Sequence, residues 1–215
     1  VKDPARVIDI SLPLGPPTPP VPGDPPFARS LFLRREHDGC EAAAFTLSAH
    51  SAAHIDFPAH FLPHGKRAGD YPVAAFFPPA VVIDCGEALR LGPDVLTGAT
   101  IHPGDAVLFR TVNSREQRFA GPTFPNDFAA VDLPLAQALI ARRVSLVGID
   151  AMSVEALADP TYPVHRLLLE SGVLILEGLD LSPAAPGRCR LVCLPLAVAL
   201  AEASPVRAVL WEELD

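Results

Sequence analysis

Three histidines and an aspartate fall within eleven residues, His50-Ser51-Ala52-Ala53-His54-Ile55-Asp56-Phe57-Pro58-Ala59-His60. Imidazoles and carboxylates are the usual donors to first-row divalent ions, so a fold that uses this stretch must converge these side chains on one point. His50 and His54, four apart, meet on one side of a helical or tight turn. His54 and Asp56, two apart, share a face only where the chain is extended. Pro58 biases Phe57 toward an extended conformation. The economical geometry is a turn carrying His50 followed by a strand carrying His54 and Asp56. Ser51, Ala52 and Ala53 are small enough for close backbone approach. The pattern is not HExxH, because Ser51 stands where that motif needs glutamate. Two histidines and one aspartate leave a position for water on a divalent ion; the alternative is a polar network without metal.

Two later residues can complete such a centre. Glu177 closes the apolar run Val173-Leu174-Ile175-Leu176, where an unpaired carboxylate is costly to bury, so it needs an ion pair or a metal. His165 stands in Pro163-Val164-His165-Arg166-Leu167 and reads as either structural or ligating. Together His50, His54, Asp56, His165 and Glu177 can build two adjacent metal positions bridged by Asp56 or Glu177. Two such ions about 3.5–4 Å apart can share an activated water.

The remaining pattern predicts an α/β fold: a single β-rich domain over 1–215 with a mixed sheet and more strand than helix. Strands are expected at Arg6–Leu12, Ser30–Arg35, Ala42–Leu47, Val81–Cys85, Gly104–Arg110, Val144–Ile149, Val173–Glu177, Arg190–Leu194 and Arg207–Trp211. Leu133–Arg143 is the best helix, with Pro134 suited to its first turn, and Pro163–Glu170 can start another. Helix followed by a buried strand ending at Asp150 suggests a crossover unit; Asp150 can orient a ligand or cap a strand end. The proline-rich segment 13–26 reads as a stiff, ordered loop. The polar segment 113–127 reads as a loop able to form a pocket wall.

With 49% hydrophobic residues the chain is not disordered despite 25 prolines, and a net charge of -8 disfavours a nucleic-acid partner. Its four cysteines define no disulfide scaffold at this length, and Cys189 and Cys193 lack a second pair nearby. The run Leu191–Ala201 is too short to cross a bilayer. No signal-peptide pattern opens the chain, so a cytoplasmic location is expected.

The quoted residues of the histidine stretch resemble the cyclase-like metal-dependent hydrolases that include bacterial kynurenine formamidase. The resemblance also covers Asp9-Ile10-Ser11, Pro22-Gly23-Asp24, Val147-Gly148-Ile149-Asp150 with Ser153, Pro163-Val164-His165 and Leu174-Ile175-Leu176-Glu177. It implies a swivelling β/β/α fold, a homodimer and two divalent ions, zinc or manganese. By residue it implies His50, His54 and Asp56 at one metal, Asp56 reaching the second, His165 on the second, Glu177 contacting or bridging the pair, and His60 as the catalytic histidine. The implied activity is arylformamidase, with N-formyl-L-kynurenine giving L-kynurenine and formate. Another cyclic amide or lactone, a cyclase or dehydratase reaction, and a non-catalytic metal-binding protein are the alternatives. Two positions depart from the family pattern. Ala52-Ala53 replace a common Gly-Thr, and Val21 replaces a tryptophan that holds an aromatic substrate. Valine offers apolar contact without a stacking face. Val21, Phe27, Phe57 and Phe119 are therefore the expected substrate contacts.

Overall fold

Short apolar runs interrupted by turns build one large sheet. The computed structural model describes residues 6–212. In chain order they form β1 (Arg6–Asp9), β2 (Ala28–Leu33), α1 (Arg35–Asp38), β3 (Ala42–Thr46), β4 (His54–Asp56), β5 (Pro79–Asp84), β6 (Arg90–Leu91), β7 (Ala106–Arg110), α2 (Val112–Arg115), β8 (Ala130–Val131), α3 (Leu133–Ala141), β9 (Leu146–Ile149), α4 (Pro163–Glu170), β10 (Leu174–Glu177), β11 (Gly187–Val192), β12 (Ala203–Pro205) and β13 (Val209–Glu212). Nine of these strands pair in the order β1-β13-β11-β5-β7-β9-β10-β4-β12. The central β5, β7, β9 and β10 run parallel, and the flanking pairs are antiparallel. The class is α/β with a mixed sheet.

Parallel strands are covered on both faces, and their sequences show it as continuous apolar runs. Successive residues divide between two cores by the period of two. Val81, Ile83, Val107, Phe109, Val147, Ile149 and Ile175 cluster with Leu135 and Leu139 of α3 and with Val164 and Leu168 of α4. Ala80, Val82, Leu108, Leu174 and Leu176 cluster instead with Ile10, Ile55, Phe57 and Leu210. Full burial of one such large side chain contributes about 1.5–3 kcal/mol.

Helix α3 starts where Asp132 accepts from the Leu135 amide at 2.8 Å, and it ends before Arg143, whose φ is 58°. Helix α3 leads from β7 into its parallel neighbour β9, the expected crossover, and α4 adds a second from β9 to β10. The strand expected at 30–35 stops at Leu33, because Arg35–Asp38 folds as a helical turn closed by Gly39 at φ 75°. Strands β2 and β3 still form a hairpin apart from the main sheet. The proline-rich segment is ordered: the Thr18 hydroxyl donates to the Pro13 carbonyl at 2.7 Å, and the Gly121 amide to Pro17 at 2.8 Å.

Pairing of β4 with β10 sets the position of the histidine stretch. Glu177 lies opposite His54, and Ile175 opposite Asp56. His54, Asp56 and Glu177 thus share one face, while Ile55 and Phe57 turn to the core on the other. The preceding turn holds Ala52 in the left-handed region at φ 54°, which directs its carbonyl to His54 Nδ1 at 2.8 Å. Gly178, at φ 68°, packs against this carbonyl so closely that a Cβ would overlap it.

Left-handed backbone costs a non-glycine residue roughly 1–2 kcal/mol, offset in part by the greater unfolded-state freedom of glycine. Ala52→Gly is therefore expected to stabilise the protein by about 0.5–1 kcal/mol in denaturant titrations. Gly178→Ala is expected to destabilise it by about 2–4 kcal/mol, combining left-handed strain with overpacking. Equal stability of all three proteins would show that this turn is not held as described.

Candidate metal centre

Five side chains from four separate elements meet at the end of β4. His50 comes from a turn closed by the Ser51 amide on Ser48 O at 3.2 Å and by the His50 amide on Ser48 Oγ at 3.1 Å. Ser48 Oγ in turn donates to Asp24 at 2.5 Å, which ties this turn to the proline-rich segment. His54 and Asp56 come from β4, Glu177 from the end of β10, and His165 from the first turn of α4.

His50 Nδ1 lies 3.0 Å from Asp56 Oδ1, and His54 Nε2 lies 3.5 Å from the same oxygen and 3.1 Å from Glu177 Oε2. His165 Nε2 is 3.1 Å from Glu177 Oε1 and 3.9 Å from Asp56 Oδ2. Donor atoms of His54, Asp56 and Glu177 lie within 4.8 Å of one another, as do those of His50, Asp56 and His60. His60 ends a short turn, Pro58–His60, with its ring centroid 4.2 Å from that of His50.

Whether these residues fit a cation can be judged from their unmet valences. His54, Asp56, His165 and Glu177 are buried. Despite the short distances, His54 Nε2 and both Asp56 oxygens have no aligned hydrogen-bond partner. Each buried polar atom left this way costs about 1–3 kcal/mol, so three aimed at one spot call for a common partner. Burial opposes a charge on His54, yet its contact with Glu177 and the charges of Asp56 and Glu177 push it up to about 9. Burial likewise opposes charge on His165, but Glu177 and Glu155 push it up to about 10. Asp56 is held well below the usual carboxylate range: burial works against this, and the charges of His50 and His54 outweigh it. The carboxylates demand positive charge at their midpoint. A divalent cation supplies it and leaves the imidazoles neutral as nitrogen donors.

His60 differs from its neighbours. Its pKa is lowered, chiefly by burial, with Asp56 opposing.

Glu155 is a residue that the linear pattern did not flag. Its carboxylate receives His165 Nδ1 at 2.6 Å and the backbone amides of His165 at 2.9 Å and Val164 at 3.1 Å. It caps the start of α4 and fixes the ring so that Nε2 faces Asp56 and Glu177. No spacing ties position 155 to position 165; a lone acidic residue in the mostly apolar run Ala151–Leu157 is the one signal. Glu177 has a similar anchor, the Val154 amide at 2.5 Å. Asp150 does not touch the centre. It accepts from the Thr111 amide at 2.8 Å, the Thr111 hydroxyl at 2.7 Å and the Ser114 amide at 3.1 Å, so it caps the turn at α2.

The centre opens into a cavity of about 280 Å³ whose walls include Val21, Pro22, Asp24, Phe61, Met152 and Tyr162. Val21 is thus at the position expected of a substrate contact. The three phenylalanines are not. Phe57 is fully buried in the opposite core against Tyr71 and Phe76, because it is one residue out of phase with Asp56. Phe119 packs edge-on against Phe124 and Phe128 within the core. For the same reason segment 113–127 forms no wall of this cavity. Phe27 lines a neighbouring cavity with Leu14 and Gly15, its ring 5.6 Å from Phe45.

Buried imidazoles and carboxylates converging on an open cavity make a candidate metal centre built on a mixed sheet. The Cyclase family model matches residues 8–156, and the chain belongs to that family. It is 37% identical over 204 residues to the kynurenine formamidase of Geobacillus thermodenitrificans, covering 94% of this chain and 96% of the relative. Among solved structures it is similar to a predicted metal-dependent hydrolase from Bacillus stearothermophilus, at TM-score 0.83 and 27% identity over 97% of this chain and 99% of that one. It is also similar to isatin hydrolase A from Ralstonia solanacearum, at TM-score 0.81 and 26% identity over 97% and 92% of the two chains.

Replacing the Glu155 carboxylate by an amide is expected to release His165. Glu155→Gln should weaken metal affinity about 10–100-fold, the usual cost of losing such an outer partner. Competition with a chromogenic chelator reads this directly, and affinity equal to wild type would show that Glu155 does not position the ring. Chelator-treated protein should also melt below metal-loaded protein, by about 2.7 kcal/mol of stability at a free ion concentration a hundredfold above Kd.

Proposed function

We propose that the chain is a metal-dependent amide hydrolase of the arylformamidase type, which cleaves N-formyl-L-kynurenine with one water to L-kynurenine and formate. The observation that carries this reading is the set of buried, unpartnered donor atoms on His54 and Asp56 at the floor of an open cavity, in a chain aligned almost end to end with a kynurenine formamidase.

His50, His54, Asp56, His165 and Glu177 would hold two divalent ions, zinc or manganese. When bound, such ions acidify water and polarise the amide carbonyl. The chain's own part is to place a proton carrier beside that chemistry. His60 adjoins the donor cluster without belonging to the buried set, and its ring stands at the cavity wall. It accepts a proton from the attacking water and returns it to the aryl nitrogen, which departs as a neutral amine when the C–N bond breaks. Val21 gives the substrate apolar contact. Asp56 and Glu177 stay ionised against the cations, and Glu155 keeps His165 oriented.

The match to an isatin hydrolase favours a second substrate class, cyclic amides, for the same water-addition chemistry. A homodimer in the cytoplasm accompanies this reading. In its support, Phe32 and Phe45 on the hairpin and Leu196 and Leu200 near β12 are exposed apolar side chains for a second copy to cover. Among the described residues no helix is long and apolar enough to cross a membrane.

Metal-replete protein should release formate from N-formyl-L-kynurenine. His60→Ala should lower kcat by about 10²–10⁴ while retaining the metal content of wild type. Loss of the metal in that variant would place His60 among the ligands instead. No turnover on any aryl formamide, lactam or lactone with either ion would refute the hydrolase assignment.

A further inference from the structure

The proline-rich segment meets the histidine stretch through Asp24. Val21-Pro22-Gly23-Asp24 is a tight turn, closed by the Asp24 amide on the Val21 carbonyl at 3.0 Å. Pro22 suits its second position, and Gly23, at φ 98°, supplies the left-handed third residue that a type II turn needs. Both ends of the turn, Val21 and Asp24, stand on the cavity wall.

Asp24 lies outside both groups of converging donor atoms. Its carboxylate instead accepts from the Ser48 hydroxyl at 2.5 Å. The same hydroxyl oxygen accepts from the His50 amide at 3.1 Å. A serine hydroxyl has one proton to give. The amide can only donate, so that proton goes to Asp24, and the polarity runs from His50 through Ser48 to the carboxylate. The charge on Asp24 polarises the hydroxyl and strengthens its hold on the His50 amide.

His50 is the donor with the least support of its own. His54 and Asp56 stand on β4 in register with β10, Glu177 ends β10, and His165 is steadied by Glu155. His50 stands in a turn and is partly exposed, yet its Nδ1 must be kept 3.0 Å from Asp56. The backbone of that turn is held at Ser48, by the hydroxyl on the His50 amide and by the carbonyl on the Ser51 amide at 3.2 Å.

We propose that Asp24 is a positioning residue for His50, acting through the Ser48 hydroxyl, and that it sets the affinity of the metal position His50 helps to form. This assignment rests on the metal-centre reading and extends it to the cavity wall. The turn that presents Val21 to a ligand is also the turn that steadies a metal donor.

The test titrates zinc into metal-free protein in competition with a chromogenic chelator. It compares wild type, Asp24→Ala, Ser48→Ala, the double variant, Asp24→Asn and Ser48→Thr, with fold checked by melting each metal-free protein. Each alanine variant should bind zinc about tenfold more weakly, the scale for losing an outer partner of a ligand. The two groups act in series, so the double variant should bind about as tightly as either single one. Asp24→Asn keeps an oxygen acceptor but not the charge, and should lose about threefold. Ser48→Thr keeps the hydroxyl and should bind as wild type does. Alanine variants that match wild type overturn the proposal while the metal reading stands. Single losses that multiply to about a hundredfold in the double variant also overturn it, since independent sites behave that way. Where an alanine variant does not fold, Asp24→Asn and Ser48→Thr decide, and equal affinity of these two overturns the proposal. If wild type itself takes up no zinc, the metal reading fails, and this inference with it.

Discussion

Two carboxylates buried side by side on neighbouring strands are the constraint to which the rest of the site answers. Asp56 and Glu177 project from the same face of β4 and β10, and both are almost inaccessible to water. Removing such ions from water costs several kcal/mol each even after relaxation, and their mutual repulsion adds to this. Every group around them relieves that cost. His50, His54 and His165 approach with nitrogen, and the Val154 amide donates to Glu177. Glu155 then steadies His165 from behind. Because three of the candidate donors, His54, Asp56 and Glu177, and their register belong to a sheet rather than to a loop, the spacing of the centre is as fixed as the strand pairing. Binding of a cation there would couple to folding through the same atoms.

The pleat explains both what could be read from the sequence and what was misread. Spacing by two correctly placed His54 and Asp56 on one face of extended chain, and an apolar run ending in a carboxylate correctly marked Glu177 as needing a partner. The same rule excludes Phe57 from the cavity, since it alternates with Asp56 and must join Ile55 in the opposite core. Phe119 offered no such signal: its edge-on cluster with Phe124 and Phe128 depends on how a long loop folds. The crossover through α3 into β9 was legible from helix and strand periods. Strand β12 was not, because Ala203-Ser204-Pro205 has weak strand propensity and is extended through its pairing with β4. Glu155 left only a weak signal for a related reason, as its role arises once the start of α4 packs on it.

Ala52 shows a departure in sequence acquiring a physical meaning. A methyl group stands where the family pattern of the resemblance commonly has glycine. The structure places that residue at positive φ, with its carbonyl oriented toward His54 Nδ1. The hydrogen bond fixes which nitrogen of His54 faces the carboxylates, so a local backbone strain is exchanged for a set tautomer.

The candidate metal donors and the cavity wall come from different kinds of structure. Most of the donors stand on strands and at a helix start backed by buried hydrogen bonds, whereas Val21 and Phe61 come from a proline-rich segment and the end of a short turn. A change at Val21 therefore alters the cavity wall without disturbing the pairing that positions Asp56 and Glu177. Under the proposed function, reaction chemistry and substrate choice would be separable in this architecture. Val21 puts no ring on the cavity wall, and the aromatic surface that is there, Phe61 with Tyr162, is attached to His60 and to the helix that carries His165 rather than to the proline-rich segment.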